Sequence, residues 1–174
     1  MVDPTLVAYL DTRGVRFCVI GGVALAVHGF ARYTADVDLL TMDATVLAAD
    51  FWSGSAVTEI RRGEGDDPLA GLVRWSSEPP HDLLVGRGHA MRFAVDTAAE
   101  NTTVGARVAT PLGLVLLKLE AGGPQDRNDI LALVQARQAL AGAGWLADVP
   151  AHLPHLSAEA RACWARVEPD LVRR

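Results

Sequence analysis

Apolar positions along the chain fall into short runs set apart by glycine, proline and acidic turns, and these runs predict strands alternating with helices. Asp3-Pro4 has N-cap and first-turn character, and Leu6, Tyr9 and Leu10 share one apolar face up to Arg13-Gly14, so a short helix opens the chain. Residues 15–20 predict a core strand, residues 21–28 a helix rich in Ala and Val, and residues 36–41 a second strand. Asp43 caps a stretch with helical apolar spacing that reaches residue 52. Residues 57–61, 69–75 and 81–85 read as strands, with a turn at residues 64–68 and a break at Glu78-Pro79-Pro80. A helix is expected over residues 89–99, a short strand around Gly105 over 104–109, and a helix from Thr110-Pro111 to Ala121. Gly122-Gly123-Pro124 separates this from a helix running from Gln125 to about residue 141, and a last helix covers about residues 157–167. The pattern is that of an α/β (or α+β) protein: a small mixed β-sheet packed with helices, and a helical C-terminal portion. Residues 1–142 are expected to form one domain, with residues 143–174 a helical extension packed on it.

Composition narrows the picture. A chain of 174 residues, 50% of them hydrophobic, can bury a core, and no apolar run approaches the roughly eighteen residues of a membrane span. Met-Val-Asp-Pro lacks the basic start of a signal peptide, so the expectation is a soluble, cytoplasmic protein with no membrane partner. Cys18 and Cys163 have neither metal-ligand spacing nor disulfide density and read as packing residues. A net charge of −5 argues against a general polyanion binder. Arg61, Arg62, Arg74, Arg87 and Arg92 form no aromatic-interleaved patch and read as solvated surface arginines.

The chemistry concentrates in residues 20–40. Gly21-Gly22 lies where a strand hands over to a helix, a place where backbone N–H groups can approach an anion, although such a pair is also an ordinary tight turn. Asp36 and Asp38 fall two residues apart on a strand, hence on one face about 6.6 Å along it. Two ionised carboxylates so placed call for a cation, and an oxygen-only donor set suits Mg²⁺ or Mn²⁺ better than zinc; the plainer reading is a solvated strand end. Lys118 is the only lysine and sits in an apolar helix, where its charge must reach solvent or meet a phosphate or carboxylate. Asp126 and Asp129 lie in the first turn of the next helix, facing its dipole, with Asp126 a second-rank site residue.

Gly21-Gly22 followed by Asp36-Val37-Asp38 resembles the signature of the nucleotidyltransferase fold, the superfamily of DNA polymerase beta-like proteins. More narrowly, His28-Gly29 with Arg32, Thr34, Asp36 and Asp38 resembles the small bacterial nucleotidyltransferases of the AbiEii and MNT-like types. The resemblance implies a third carboxylate on a later strand, matched by Asp82, and a Lys-Leu-x-Ala stretch with later acids, matched by Lys118 to Ala121 with Asp126 and Asp129. It departs at Gly123, where relatives often carry Arg. It further implies transfer of a nucleoside monophosphate from a nucleoside triphosphate to an acceptor hydroxyl, with Asp36, Asp38 and Asp82 holding Mg²⁺ (or Mn²⁺). Asp82 would also take the acceptor's proton, while Gly21, Gly22, Arg32, Thr34 and Lys118 would contact nucleotide, with Arg32 alternatively holding the carboxylates in position by ion pairing, the slightly favoured reading for it. Possible acceptors are RNA (tRNA) or a protein. Two other readings stand beside this one: a non-catalytic nucleotide- or protein-binding module of the same fold, and a toxin or antitoxin component.

Overall fold

The computed structural model describes residues 1–65, 67–140 and 142–172. Asp66 of the expected turn, Ala141 at an expected helix end and residues 173–174 of the expected extension lie outside the described residues.

The first helix, α1 (Pro4–Thr12), starts where Asp3 Oδ1 accepts from the N–H groups of Thr5 and Leu6, and it buries Leu6 and Leu10. Strand β1 (Phe17–Val19) is shorter than the apolar run suggests, because the chain leaves the ladder at Gly21 to begin α2 (Gly21–Val27). Next come β2 (Val37–Thr41), β3 (Val57–Arg62), β4 (Leu69–Trp75) and β5 (His81–Gly86), then α3 (His89–Thr97), β6 (Ala99–Asn101) and β7 (Ala106–Val108). Four helices finish the described chain: α4 (Pro111–Ala121), α5 (Pro124–Leu140), α6 (Val149–His152) and α7 (Ala158–Val172). The strands form one seven-stranded sheet in the order β3-β4-β5-β2-β1-β7-β6. It is mixed: β2 runs parallel to β5 and β1 parallel to β7, and the other neighbours are antiparallel.

Each face of the sheet has its own cover. On one side Tyr9, Phe51, Trp52 and Trp75 cluster, with Tyr9 stacked on Trp52 at 5.2 Å between ring centres and its hydroxyl donating to Phe51 O at 2.6 Å. On the other side Gly86 leaves no room for a side chain between Met91 of α3 and Leu40 of β2. Leu40 lies two residues from Asp38 on the same strand, so α3 covers the face that also carries Asp38. α4 is apolar on almost every side; Thr110 and Pro111 start it, and Gly122, in a left-handed conformation, ends it. α5 and α7 pack against it.

Three expectations are corrected. The helix expected over residues 43–52 is two 3-10 turns, Ala44–Leu47 and Ala49–Trp52, separated by an extended Ala48. At about 100° per residue a continuous α-helix would point Val46 and Trp52 some 120° apart, and the break turns both inward. The helix expected to reach residue 99 stops at Thr97, since Asn101 Oδ1 accepts from Val104 N at 3.0 Å and folds the next residues into the β6–β7 hairpin. α7 runs past residue 167 because Ala160, Cys163, Trp164, Val167 and Leu171 continue one buried stripe, while Pro169 and Ala165, whose carbonyl it leaves free, are exposed. Among the described residues no helix is long and apolar enough to cross a membrane.

Candidate active site

The parallel pairing of β2 with β5 sets Asp38 directly opposite Asp82, so the two carboxylates emerge side by side on the face shared with α3. Asp36 sits just before β2 rather than in it, and Thr34 fixes it: the Thr34 hydroxyl lies 3.1 Å from Asp36 O and 3.3 Å from its Oδ1. One oxygen from each of the three carboxylates lies within 4.8 Å of the others.

The two glycines upstream make this convergence possible. Gly21 has φ +62°, a conformation open to glycine and strained for most other residues, and a Cβ there would collide with the Asp38 carboxylate. A Cβ on Gly22 would come within 2.8 Å of Thr34 Cβ. The glycine pair is therefore the surface on which Asp38 and Thr34 rest, in addition to being a turn. Burial, followed by the charges of Asp36 and Asp82, pushes the Asp38 carboxyl up to about 6, with Arg32 and Lys118 pulling the other way.

Lys118 does not reach the three acids. Its ammonium lies 2.9 Å from Asp126 Oδ1 and 2.7 Å from Asp129 Oδ2, the second an ionic contact without hydrogen-bond alignment. Asp129 is 2% exposed, and Arg32 Nε approaches the same Oδ2 at 3.4 Å. Asp126 Oδ2 also accepts from Gly123 N at 3.1 Å, so this residue keeps the helix-start role expected of it. Arg32 and Lys118 thus meet at Asp129, close enough to Asp38 to be felt electrostatically. Beside Gly21 and Lys118 opens a cavity of about 260 Å³ walled by Leu69, Leu84, Met91 and Leu117.

One residue of this cluster escapes the sequence pattern. Arg74, read as a surface arginine, forks both oxygens of Asp82, with Nε to Oδ1 at 2.7 Å and Nη2 to Oδ2 at 2.6 Å. Its only sequence signal is position: a polar residue among apolar ones in a strand next to the one bearing Asp82. Of the other arginines read as surface residues, Arg61 pairs with Glu59, Arg62 donates to the carbonyl of Leu47, and Arg87 donates to the carbonyls of Glu64, Gly65 and Asp67. His28 bonds Ala109 O at 2.8 Å, a packing role, and both cysteines are buried.

No family model and no curated protein sequence matches the chain. Among solved structures it superposes on an antigenic nucleotidyltransferase-like protein from Paracoccidioides brasiliensis with a TM-score of 0.52, 19% identity, and coverage of 97% of this chain and 88% of that one. The chain has the nucleotidyltransferase fold. It also aligns with the antibiotic-resistance factor ANT(2'')-Ia at a TM-score of 0.49, in a solution structure (16% identity, 97% and 94% covered). A crystal structure of that factor in complex with adenylyl-2''-tobramycin gives the same TM-score (15% identity, 92% and 93% covered). Within the nucleotidyltransferase fold of this chain, the donor set suits a hard divalent cation. All three groups are carboxylates, and the raised Asp38 is the group whose ionised form a cation would relieve.

Proposed function

We propose that the protein transfers a nucleoside monophosphate from a nucleoside triphosphate to an acceptor hydroxyl, in the manner of the small AbiEii-related nucleotidyltransferases that residues 28–38 resemble. The observation that carries this is the convergence of Asp36, Asp38 and Asp82 from two strands and a loop to within 4.8 Å. Asp36, Asp38 and Asp82 would hold Mg²⁺ or Mn²⁺, whose chemistry is to offset charge on the phosphates and lower the proton affinity of the attacking oxygen.

The residues of the chain divide the remaining work. The acceptor oxygen attacks the α-phosphorus, the bond to pyrophosphate breaks, and Asp82 takes the hydroxyl proton. While the cluster holds no cation, Arg74 keeps Asp82 in place through its fork. The backbone N–H groups of Gly21 and Gly22 line the triphosphate, with Thr34 keeping Asp36 in register. Lys118 and Arg32, fixed through Asp129, supply positive charge on the same side. The apolar cavity beside Gly21 receives the nucleoside, since its walls are aliphatic and it adjoins both the glycine turn and Lys118.

The test is transfer of label from each α-labelled ribonucleoside triphosphate, with Mg²⁺ or Mn²⁺, into RNA or protein of a cell extract. Wild type should move label and Asp38→Ala should move none. Label transfer that persists in Asp38→Ala would place the chemistry elsewhere, and triphosphate binding without transfer by wild type would make the protein a non-catalytic binding module.

A further inference from the structure

Residues opposite one another in a sheet point to the same side. Followed inward from the edge, the register sets Glu59 of β3 opposite Arg74 of β4, Arg74 opposite Asp82 of β5, and Asp82 opposite Asp38 of β2. Four strands therefore carry one charged row in the sequence acid, base, acid, acid, and the inner two acids belong to the cluster already described. Arg74 stands between two carboxylates and is bonded to the inner one. Glu59, the outer one, is held by Arg61 of its own strand, with Nη2 to Oε2 at 3.1 Å.

Burial is uneven along this row. The Asp82 side chain is 9% exposed and that of Arg74 is 39% exposed, so the acid is fixed while the guanidinium has room to move. A guanidinium and a divalent cation on the same carboxylate repel each other. A double and a single positive charge about 6 Å apart differ in water by about tenfold in binding, and more in a half-buried site. The outer carboxylate offers Arg74 an alternative partner one strand away, shared with Arg61.

We propose that Arg74 is the protein's own counter-cation for the third carboxylate and has two seats: Asp82 in the metal-free protein, and Glu59 once a divalent cation occupies the cluster. The hand-over sets the cation concentration at which the site loads, and Glu59 is part of the machinery although it touches none of the three acids. The inference rests on reading Asp36, Asp38 and Asp82 as a cation site.

Calorimetric titration of the full chain with Mn²⁺ alone tests it without reference to turnover. Arg74→Gln removes the charge and should bind Mn²⁺ about tenfold more tightly than wild type, whereas Arg74→Lys, which keeps the charge, should stay near wild type. Glu59→Gln removes the outer seat and should weaken binding severalfold. In the Arg74→Gln background the Glu59 substitution should have no effect, a non-additivity expected only if the two residues act through each other. Equal or weaker binding by Arg74→Gln, or the same loss from Glu59→Gln in both backgrounds, overturns the hand-over. If Arg74→Gln loses its cooperative unfolding transition, Glu59→Gln on the edge strand carries the test, and unchanged binding overturns the proposal. Loss of binding in Asp38→Asn separates these failures from failure of the cation-site reading; undiminished binding in that variant would sink both.

Discussion

Replacing Asp38 by asparagine keeps the side chain's size and removes its charge, which isolates what the ionised group does to the fold. Burial and the neighbouring Asp36 and Asp82 raise its carboxyl from 3.8 to about 6. An acid whose pKa is higher in the folded than in the unfolded chain destabilises the fold when ionised. The penalty is complete above pH 6, shrinks as the pH falls from about 6 toward 3.8, and is absent below that. Full conversion of the shift gives a ceiling of about 3 kcal/mol, and the partial contact of Asp38 with water roughly halves it to about 1.5 kcal/mol. For a chain of this size that is about 3–6 °C in Tm. Thermal unfolding without metal should therefore show Asp38→Asn melting about 3–6 °C above wild type at pH 8, with the gap closing by about pH 4. Mg²⁺ should then raise wild type and leave the variant unmoved. A gap independent of pH, a variant less stable than wild type at pH 8, or equal protection of both by Mg²⁺ would refute the reasoning.

Two other substitutions probe the supports of the site. Gly21→Ala combines a left-handed backbone, which costs an L-residue about 1–2 kcal/mol, with a collision against the Asp38 carboxylate, so it should lower stability in urea by at least that amount and abolish Mn²⁺ binding; unaltered binding would show that Asp38 does not rest on this glycine. Asp129→Asn leaves the buried Lys118 with Asp126 alone and should destabilise by about 2–3 kcal/mol in the same assay, less than the full 3–5 kcal/mol of an orphaned buried charge because one partner stays; a loss below about 0.5 kcal/mol would mean that Lys118 reaches solvent instead.

Much of this architecture is readable along the chain because it is local. The alternation of Asp36, Val37 and Asp38 sends both acids one way, the Asp3 and Thr110 caps mark helix starts, and an isolated lysine in an apolar helix poses a choice between solvent and a partner that falls to Asp126 and Asp129. The pairing of Asp38 with Asp82 is not local: it depends on β5 lying parallel beside β2, and only the family resemblance pointed to Asp82. Arg74 and Glu59 were opaque for the same reason, since a charged residue on a strand looks solvated until the strand beside it is known. Asp129 reads along the chain as a first-turn acid, but α5 starts at Pro124 and places it in the second turn, buried, where the dipole argument gives way to its pairing with Lys118. The extended Ala48 and the β6 strand follow from side chains meeting partners far away or folding back two or three residues, which helical periodicity does not register.

The pairing of Lys118 with Asp126 and Asp129 has a practical side. It is the only ε-amine of the chain, and with its side chain 11% exposed it is shielded wherever α4 and α5 stay packed. A lysine-directed reagent should therefore leave the folded interior unmarked, and the rate at which it marks Lys118 becomes a clock for the parting of those two helices. A single peptide in a mass spectrum would report, without any engineered label, how often that side of the protein opens and whether a triphosphate keeps it shut.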